Sequence, residues 1–240
     1  MIIHKDIDQG GDAWDDLRAP LATASEFGKI FTGGEKISTQ REAYMRQCAV
    51  SRKYKLPSWE GNEHTERGHK LEPVARDLFR KETSLDVREI AFIEHDNGLC
   101  GMSPDSVIFA PDDRMIGGLE IKCFAYDKHI GIVTKGILPT ANKPQVHGSL
   151  FIAKVPCWQF MVFHPDAHPC IHKVIETEPD NYTDNLENEV LKFCEELDQM
   201  AEEYIADYDK ILAGSSMISA MPILQRQLTT QSPADDGGIF

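Results

Sequence analysis

Between Asn62 and Thr83, and again from Tyr182 to Leu212, apolar residues return every three or four positions. That period places them along one side of an α-helix. In the first stretch the stripe is Gly68, Leu71, Val74, Ala75, Leu78 and Phe79; Glu72 lies beside it, and Pro73 is expected to disturb the helix locally. In the second, Leu186, Val190, Phe193, Leu197, Tyr204 and Leu212 share a face and the outer face is acidic. Between these helices the pattern shifts to short apolar blocks. Val87 to His95, Leu99 to Met102, Val107 to Phe109, Leu119 to Cys123, Cys157 to Phe163 and Ile171 to Thr177 read as strands. Asp96-Asn97-Gly98 marks a tight turn, and Pro111-Asp112-Asp113 and Gly117-Gly118 are read as chain reversals.

Shorter helical patterns complete the chain. Asp12 is expected to cap one that carries Trp14, Leu17 and Leu21 and is ended or bent by Pro20. Thr23 or Ser25 caps a second, running to Phe31. Ser38 to Tyr54 reads as a basic helix, with Arg41, Arg46, Arg52 and Lys53, followed by Lys55 and by a connection bearing Trp59. Short helices are expected within Phe124 to Lys135 and over Gln145 to Ala153, the latter with Val146, Leu150 and Phe151 inward. After Leu212 the character changes. Gly214-Ser215-Ser216 breaks the last helix, and Thr229 to Phe240 is polar and loose. One domain over residues 1–212 with a tail over 213–240 is the expected organisation.

With 240 residues there is enough chain for a substantial core. A hydrophobic content of 41% and a charged content of 27% fit a soluble globular protein. No apolar run approaches the ~18 residues of a membrane span, and the start, Met1 to Asp6, lacks the layout of a signal peptide. Six scattered cysteines without a C-x-x-C pair argue for a reducing compartment and against a zinc or iron–sulfur module. The net charge of −14 counts against nucleic-acid binding by the protein as a whole. It leaves room for a local positive channel, because acidic residues cluster late, from Glu176 to Glu203. The basic helix is either a wall of such a channel or a solvated face.

Chemistry concentrates in two neighbouring blocks. Asp105 follows the Ser103-Pro104 turn and opens an apolar run; Glu120 and Lys122 stand two apart in the next. On a strand, residues two apart share a face at ~7 Å spacing, while Ile121 between them points to the other side. If the two strands pair, two carboxylates and an ammonium meet. Such a set can hold Mg²⁺ through hard oxygen ligands, with a metal-activated water and a lysine that orients or deprotonates it, as metal-dependent phosphodiester hydrolysis requires. The competing reading is a hairpin with a solvated charged face. Glu72 is a candidate third ligand, or one more solvated helix glutamate. Arg18 and Ser25 near helix starts can bind a phosphate, or they belong to a capped helical hairpin with a surface arginine. His164, His168 and His172 would share a helix face with metal-binding spacing, but Pro165 and Pro169 forbid a regular helix, so they read as loop and strand-edge histidines.

Taken together, Trp14-x-x-Leu17-Arg18 with Thr23-Ala24-Ser25, Gly68-x-x-x-Glu72-x-x-Ala75-Arg76-x-Leu78-Phe79, Ser103-Pro104-Asp105, Glu120-Ile121-Lys122 and Gln145 form an ordered set. In that order and spacing the chain resembles the YqaJ-type viral recombinase family of PD-(D/E)XK nucleases, from about Gln9 to the long C-terminal helix. The resemblance implies an α/β fold with a central mixed β-sheet flanked by α-helices. It implies a Mg²⁺-dependent 5′→3′ exonuclease that degrades one strand of linear double-stranded DNA to 5′-mononucleotides and leaves 3′ single-stranded overhangs for recombination. Asp105, Glu120, Lys122 and Gln145 would be catalytic. Glu72, Asp105, Glu120 and the backbone carbonyl of Ile121 would hold two Mg²⁺, with Mn²⁺ as a substitute. Arg18 and Ser25 would grip the 5′-phosphate. The family also implies a homotrimeric ring on DNA ends, a single-strand annealing protein as partner, no membrane, and a phage-encoded protein in the bacterial cytoplasm. A ring would reconcile a basic inner surface with an acidic exterior.

Three positions depart from the family pattern: Pro20 and Ser106 stand where glycines are usual, and His147 where a second glutamine can occur. Two other readings remain: a PD-(D/E)XK endonuclease of restriction or structure-specific type, which would cut closed circles, and an acidic assembly protein without catalysis.

Overall fold

The computed structural model describes residues 1–54 and 63–214. Lys55, Trp59 and the tail from residue 215 onward lie outside the described residues. The elements in order are β1 (Ile2–His4), α1 (Asp12–Arg18), β2 (Ala22–Thr23), a 3-10 helix over Ala24–Lys29, α2 (Arg41–Tyr54), α3 (Glu63–Thr83), β3 (Asp86–Arg88), β4 (Phe92–Glu94), β5 (Cys100–Met102), β6 (Ser106–Phe109), β7 (Met115–Lys122), α4 (Tyr126–Lys135), α5 (Lys143–Ala153), β8 (Cys157–Phe163), β9 (His172–Thr177) and α6 (Asn181–Gly214). No helix among the described residues is long and apolar enough to cross a membrane.

The central sheet runs β3-β6-β7-β8-β9. The β7–β8 pair is parallel and the other three are antiparallel, so the sheet is mixed. A parallel pair needs a crossover connection, and α4 and α5 fill it. One face of the sheet presents Ile108, Leu119, Ile121, Met161 and Phe163 to Ala75 and Phe79 of α3. The other face carries Val107, Trp158, Phe160 and Val162 into the larger core, with α2, α5 and α6. A second sheet, β1-β4-β5-β2, contributes Ala22, Ile93, Cys100 and Met102 to the larger core and was not foreseen from the sequence.

Several expectations need correction. Gly11, not Asp12, occupies the N-cap of α1, and Asp12 stands in the first turn, where its charge suits the helix dipole. That helix stops at Arg18, before Pro20. The second short helix is a 3-10 helix that stops at Lys29, short of Phe31, and Thr23 at its N-cap makes no side-chain capping bond. Val87 to His95 is not one strand: β3 and β4 belong to different sheets, with Ile90 and Ala91 buried between them. Pro73 lies inside α3, which continues to Thr83, and Val74 is 53% exposed, off the buried stripe expected of it. Gly117 and Gly118 lie inside β7. The chain reverses at the other expected signal, around Asp113, at φ 63°. Gly118 is required by packing, because a Cβ there would stand 2.2 Å from the buried ring of Trp158 on the neighbouring strand.

The basic helix is not a free wall. Arg41 pairs with Glu196, Arg52 with Asp198 at 2.5 Å and Lys53 with Asp209 at 2.6 Å, all on α6. The fourth cation, Arg46, pairs with Glu42 one turn back, at 2.9 Å. Positive α2 and acidic α6 thus form an ion-paired seam. The loop and strand-edge placement of His164, His168 and His172 agrees with the expectation from the two prolines.

Candidate active site

The hairpin of β6 and β7 builds the centre. Its register pairs Ser106 with Leu119, which brings the preceding Asp105 alongside Glu120. The Asp105 carboxylate accepts the backbone N–H of Ile121 at 2.5 Å. Glu120 and Lys122 share a strand face, as the two-residue period requires, and the Lys122 ammonium stands 2.7 Å from Glu120 Oε1. Ile121 points into the opposite core with 6% exposure. Glu120 is 2% exposed, so its charge needs partners. The second is Gln145 at the start of α5, whose Nε2 donates to the same Oε1 at 2.6 Å. The rest of that helix, Val146 to Ala153, is buried throughout, which fixes where Gln145 points from.

Glu72 approaches from α3. Its carboxylate is gripped by Arg76, one helical turn on. Arg76 also donates from Nε to Ser106 Oγ at 2.9 Å and from Nη2 to the Asp105 carbonyl at 3.2 Å. Ser106, the departure from the family glycine, therefore has a job: its hydroxyl accepts from Arg76 and donates to the Asp105 carbonyl at 2.5 Å.

Three acids and two bases crowd into this space, and the ionisation of Asp105, Glu72 and Lys122 shows it. Burial, then Glu120 and Glu72, push the Asp105 carboxyl well above the ordinary carboxylate range, against the pull of Lys122 and the Ile121 N–H. Burial also raises Glu72; Arg76 opposes that rise and Glu120 adds to it. For Lys122 burial favours the neutral amine, but Glu120, Asp105 and Glu72 together outweigh it and hold the ammonium above its usual value. Among the described residues no three His, Cys, Asp or Glu side chains converge as a ready-made metal cage. One oxygen of each acid is instead turned to a protein partner: Asp105 Oδ2, Glu120 Oε1 and Glu72 Oε1. The donor set is nonetheless all hard oxygen with surplus negative charge, the kind that suits Mg²⁺.

The expected phosphate pair stands next door. Arg18 Nη2 donates to Ser25 Oγ at 3.2 Å, and Ser25 lies 3.3 Å from Thr23 Oγ1. The guanidinium rests over the Trp14 ring, 4.6 Å from its centroid. Burial lowers its pKa, and its Nε is buried without a hydrogen-bond partner. A cavity of about 90 Å³ is lined by Arg18, Ser25, Ser103, Gln145 and Ser149. It holds several water-sized volumes and joins the arginine directly to the glutamine that bonds Glu120.

Sequence reasoning gave no role to the residues that fasten these two parts together. Trp14 Nε1 donates to Ser103 Oγ at 3.0 Å and to the Ala91 carbonyl at 3.1 Å. Gln9 donates to the carbonyls of Ile90, Ala91 and Pro104. Tyr44, buried, accepts the Thr23 N–H at 3.1 Å. Trp14, Ser103 and Arg76 left a signal as members of the ordered motif set; Gln9 and Tyr44 left none. His147 is a brace: buried, with Nδ1 2.8 Å from Thr183 Oγ1 of α6.

The profile of the YqaJ-like viral recombinase domain matches residues 13–156. The chain belongs to the YqaJ-like viral recombinase family. Every candidate position from Arg18 to Gln145 falls inside that span. Among solved structures, this YqaJ-like chain is similar to an alkaline exonuclease from Laribacter hongkongensis, with a TM-score of 0.71 at 24% identity over 84% of this chain and 100% of that one. The same enzyme in complex with dAMP gives the same values. A phage related exonuclease from Haemophilus somnus 129PT gives a TM-score of 0.55 at 16% identity over 79% and 98%. These likenesses show a shared fold, a mixed central sheet flanked by helices. Comparison with curated proteins gave no match.

Proposed function

We propose that this YqaJ-like protein is a Mg²⁺-dependent 5′→3′ exonuclease that degrades one strand of linear duplex DNA to 5′-mononucleotides. The observation that carries the reading is the shared cavity. One wall is an arginine–serine pair suited to a terminal phosphate, and the other is Gln145, bonded to the buried acid of a carboxylate–lysine cluster.

Glu72, Asp105, Glu120 and the Ile121 carbonyl would hold the cations, two per site, with Mn²⁺ as a substitute. When bound, the metal supplies an activated water and stabilises charge on the leaving oxygen. The protein does the rest. Gln145 and Lys122 fix Glu120 from two sides. The Lys122 ammonium, kept protonated by its acidic neighbours, orients the attacking water and offsets charge on the phosphorus oxygens. Arg18 and Ser25 hold the 5′-phosphate, so the second phosphate of the strand meets the acids. Hydrolysis breaks the bond to the 3′-oxygen, releases the first nucleotide and leaves a new 5′-phosphate that can enter the same pocket. Direction thus follows from chemistry. A homotrimeric ring around duplex, a single-strand annealing partner for the 3′ overhang, and a phage-encoded role in the bacterial cytoplasm belong to the same proposal. They are supported by family membership, and by an acidic α6 that would suit the outside of a ring.

The test compares a 5′-phosphorylated linear duplex with a covalently closed circle, with Mg²⁺ and with chelator. Mononucleotides from the linear substrate alone, and only with Mg²⁺, are expected. Linearisation of the circle would replace the proposal with the endonuclease reading. Inertness on both would return the site to a charged brace.

A further inference from the structure

Arg76 is among the most buried charged side chains of the protein, at 6% exposure. It reaches four groups: the Glu72 carboxylate, the Ser106 hydroxyl, the Asp105 carbonyl and Glu89, at 2.9 Å. Three of these belong to candidate metal ligands or to the residue next to one. They come from two elements, α3 and the strand entry of β6, which Arg76 bridges. Glu89 is 65% exposed and serves as the outer anchor.

We propose that Arg76 is a positioning residue for the cation site, one that sets Glu72 and the Asp105 turn at the mutual distance that divalent-ion binding requires. The proposal rests on the cation-dependent reading above. A buried arginine next to two acids has an alternative role as a plain counter-charge, so charge and geometry have to be separated. The planar fork makes this possible. Arg76 uses Nε, Nη1 and Nη2 in three directions at once, whereas a lysine brings the same charge to a single point and cannot span Glu72, Ser106 and the Asp105 carbonyl together. Partners that orient metal ligands from behind commonly contribute ~10- to 100-fold to metal affinity.

The experiment measures Mn²⁺ binding by electron paramagnetic resonance and the Mn²⁺-induced rise in melting temperature, for the full-length protein and the Arg76→Lys variant. The expected result is two ions on the wild type, with one weakened at least tenfold in Arg76→Lys and the other nearly unchanged. A smaller cation-induced melting shift should accompany the loss. Ser106→Ala, which removes one acceptor of the fork and no charge, should weaken the same ion by a few fold; it carries the test if Arg76→Lys does not fold. A folded Arg76→Lys that binds both ions as the wild type does, or a Ser106→Ala without effect where the lysine variant is unfolded, overturns the proposal and leaves Arg76 a counter-charge. A wild type that takes up no Mn²⁺ overturns the cation-dependent reading itself, and this inference with it.

Discussion

Replacing Arg18 isolates end recognition from cutting. In the structure its guanidinium is held by Ser25 at 3.2 Å and by the Trp14 face, has no carboxylate within ion-pair distance among the described residues, and opens on the cavity shared with Gln145. A charge-assisted hydrogen bond contributes about 1.5–3 kcal/mol, so losing it should cost roughly ten- to a hundredfold in kcat/KM on 5′-phosphorylated ends. Arg18 is half-buried, so solvent screens the bond only in part. The stacking over Trp14 is worth about 0.5–1 kcal/mol to the fold. That part affects phosphorylated and dephosphorylated ends alike and cancels in a cycle of two enzymes against two substrates. The assay is initial exonucleolytic rate on 5′-phosphate and 5′-hydroxyl duplexes of one sequence, for wild type and Arg18→Ala. The wild type should favour the phosphate, and the variant should lose most of that preference while keeping its rate on the hydroxyl end. Arg18→Lys should fall between them, since it keeps charge but not the fork. An unchanged phosphate preference in Arg18→Ala would refute the pocket, whatever happens to absolute rate.

Two further outcomes follow from the electrostatics. Asp105 and Glu72 bind protons more readily folded than unfolded, so metal-free stability should fall as pH rises from the unfolded carboxylate range near ~4 through their raised values. Asp105→Asn should flatten that decline and Mg²⁺ should reverse it; urea denaturation across pH, with chelator and with Mg²⁺, measures both, and a metal-free decline that Asp105→Asn leaves unchanged would contradict the assignment. Arg41→Ala should lower stability by ~1–2 kcal/mol through its pair with Glu196 and its contact with Phe193, while leaving duplex affinity and its salt dependence unaltered. A salt slope reduced by about one unit would return α2 to the DNA surface.

The parts of this molecule that were legible in sequence are those in which a residue's role is set by its near neighbours. The two-residue period put Glu120 and Lys122 on one face and Ile121 in the core, and the register of the hairpin delivered Asp105 to them. The helical period found α3 and α6, though at Val74 it placed an exposed residue on the buried side. Glycine was the harder letter. Gly117-Gly118 has the composition of a turn, yet Gly118 is there because the Trp158 ring needs the space, and that ring comes from a strand two helices later. Absence of a side chain signals either an unusual backbone or a close neighbour, and local sequence does not say which.

Charge misled in the same way. A basic helix and an acidic helix, read separately, pose a DNA wall and a solvated face; packed together, they neutralise each other at Arg41, Arg52 and Lys53. The consequence for function is specific. With α2 spending these cations on α6, the net charge of −14 is not offset there, and the proposed function would have DNA held by a few well-placed groups. On the proposed reading Arg18 and Lys122 would be such groups. One opens on a cavity that reaches the other's glutamine-bound partner, and Trp14 and Gln9 hold that geometry by bonds across more than seventy residues of chain. On the proposed reading, specificity would be gained at the strand end, where a terminal phosphate carries charge that no internal phosphate has, and Arg18 would be the group that reads it.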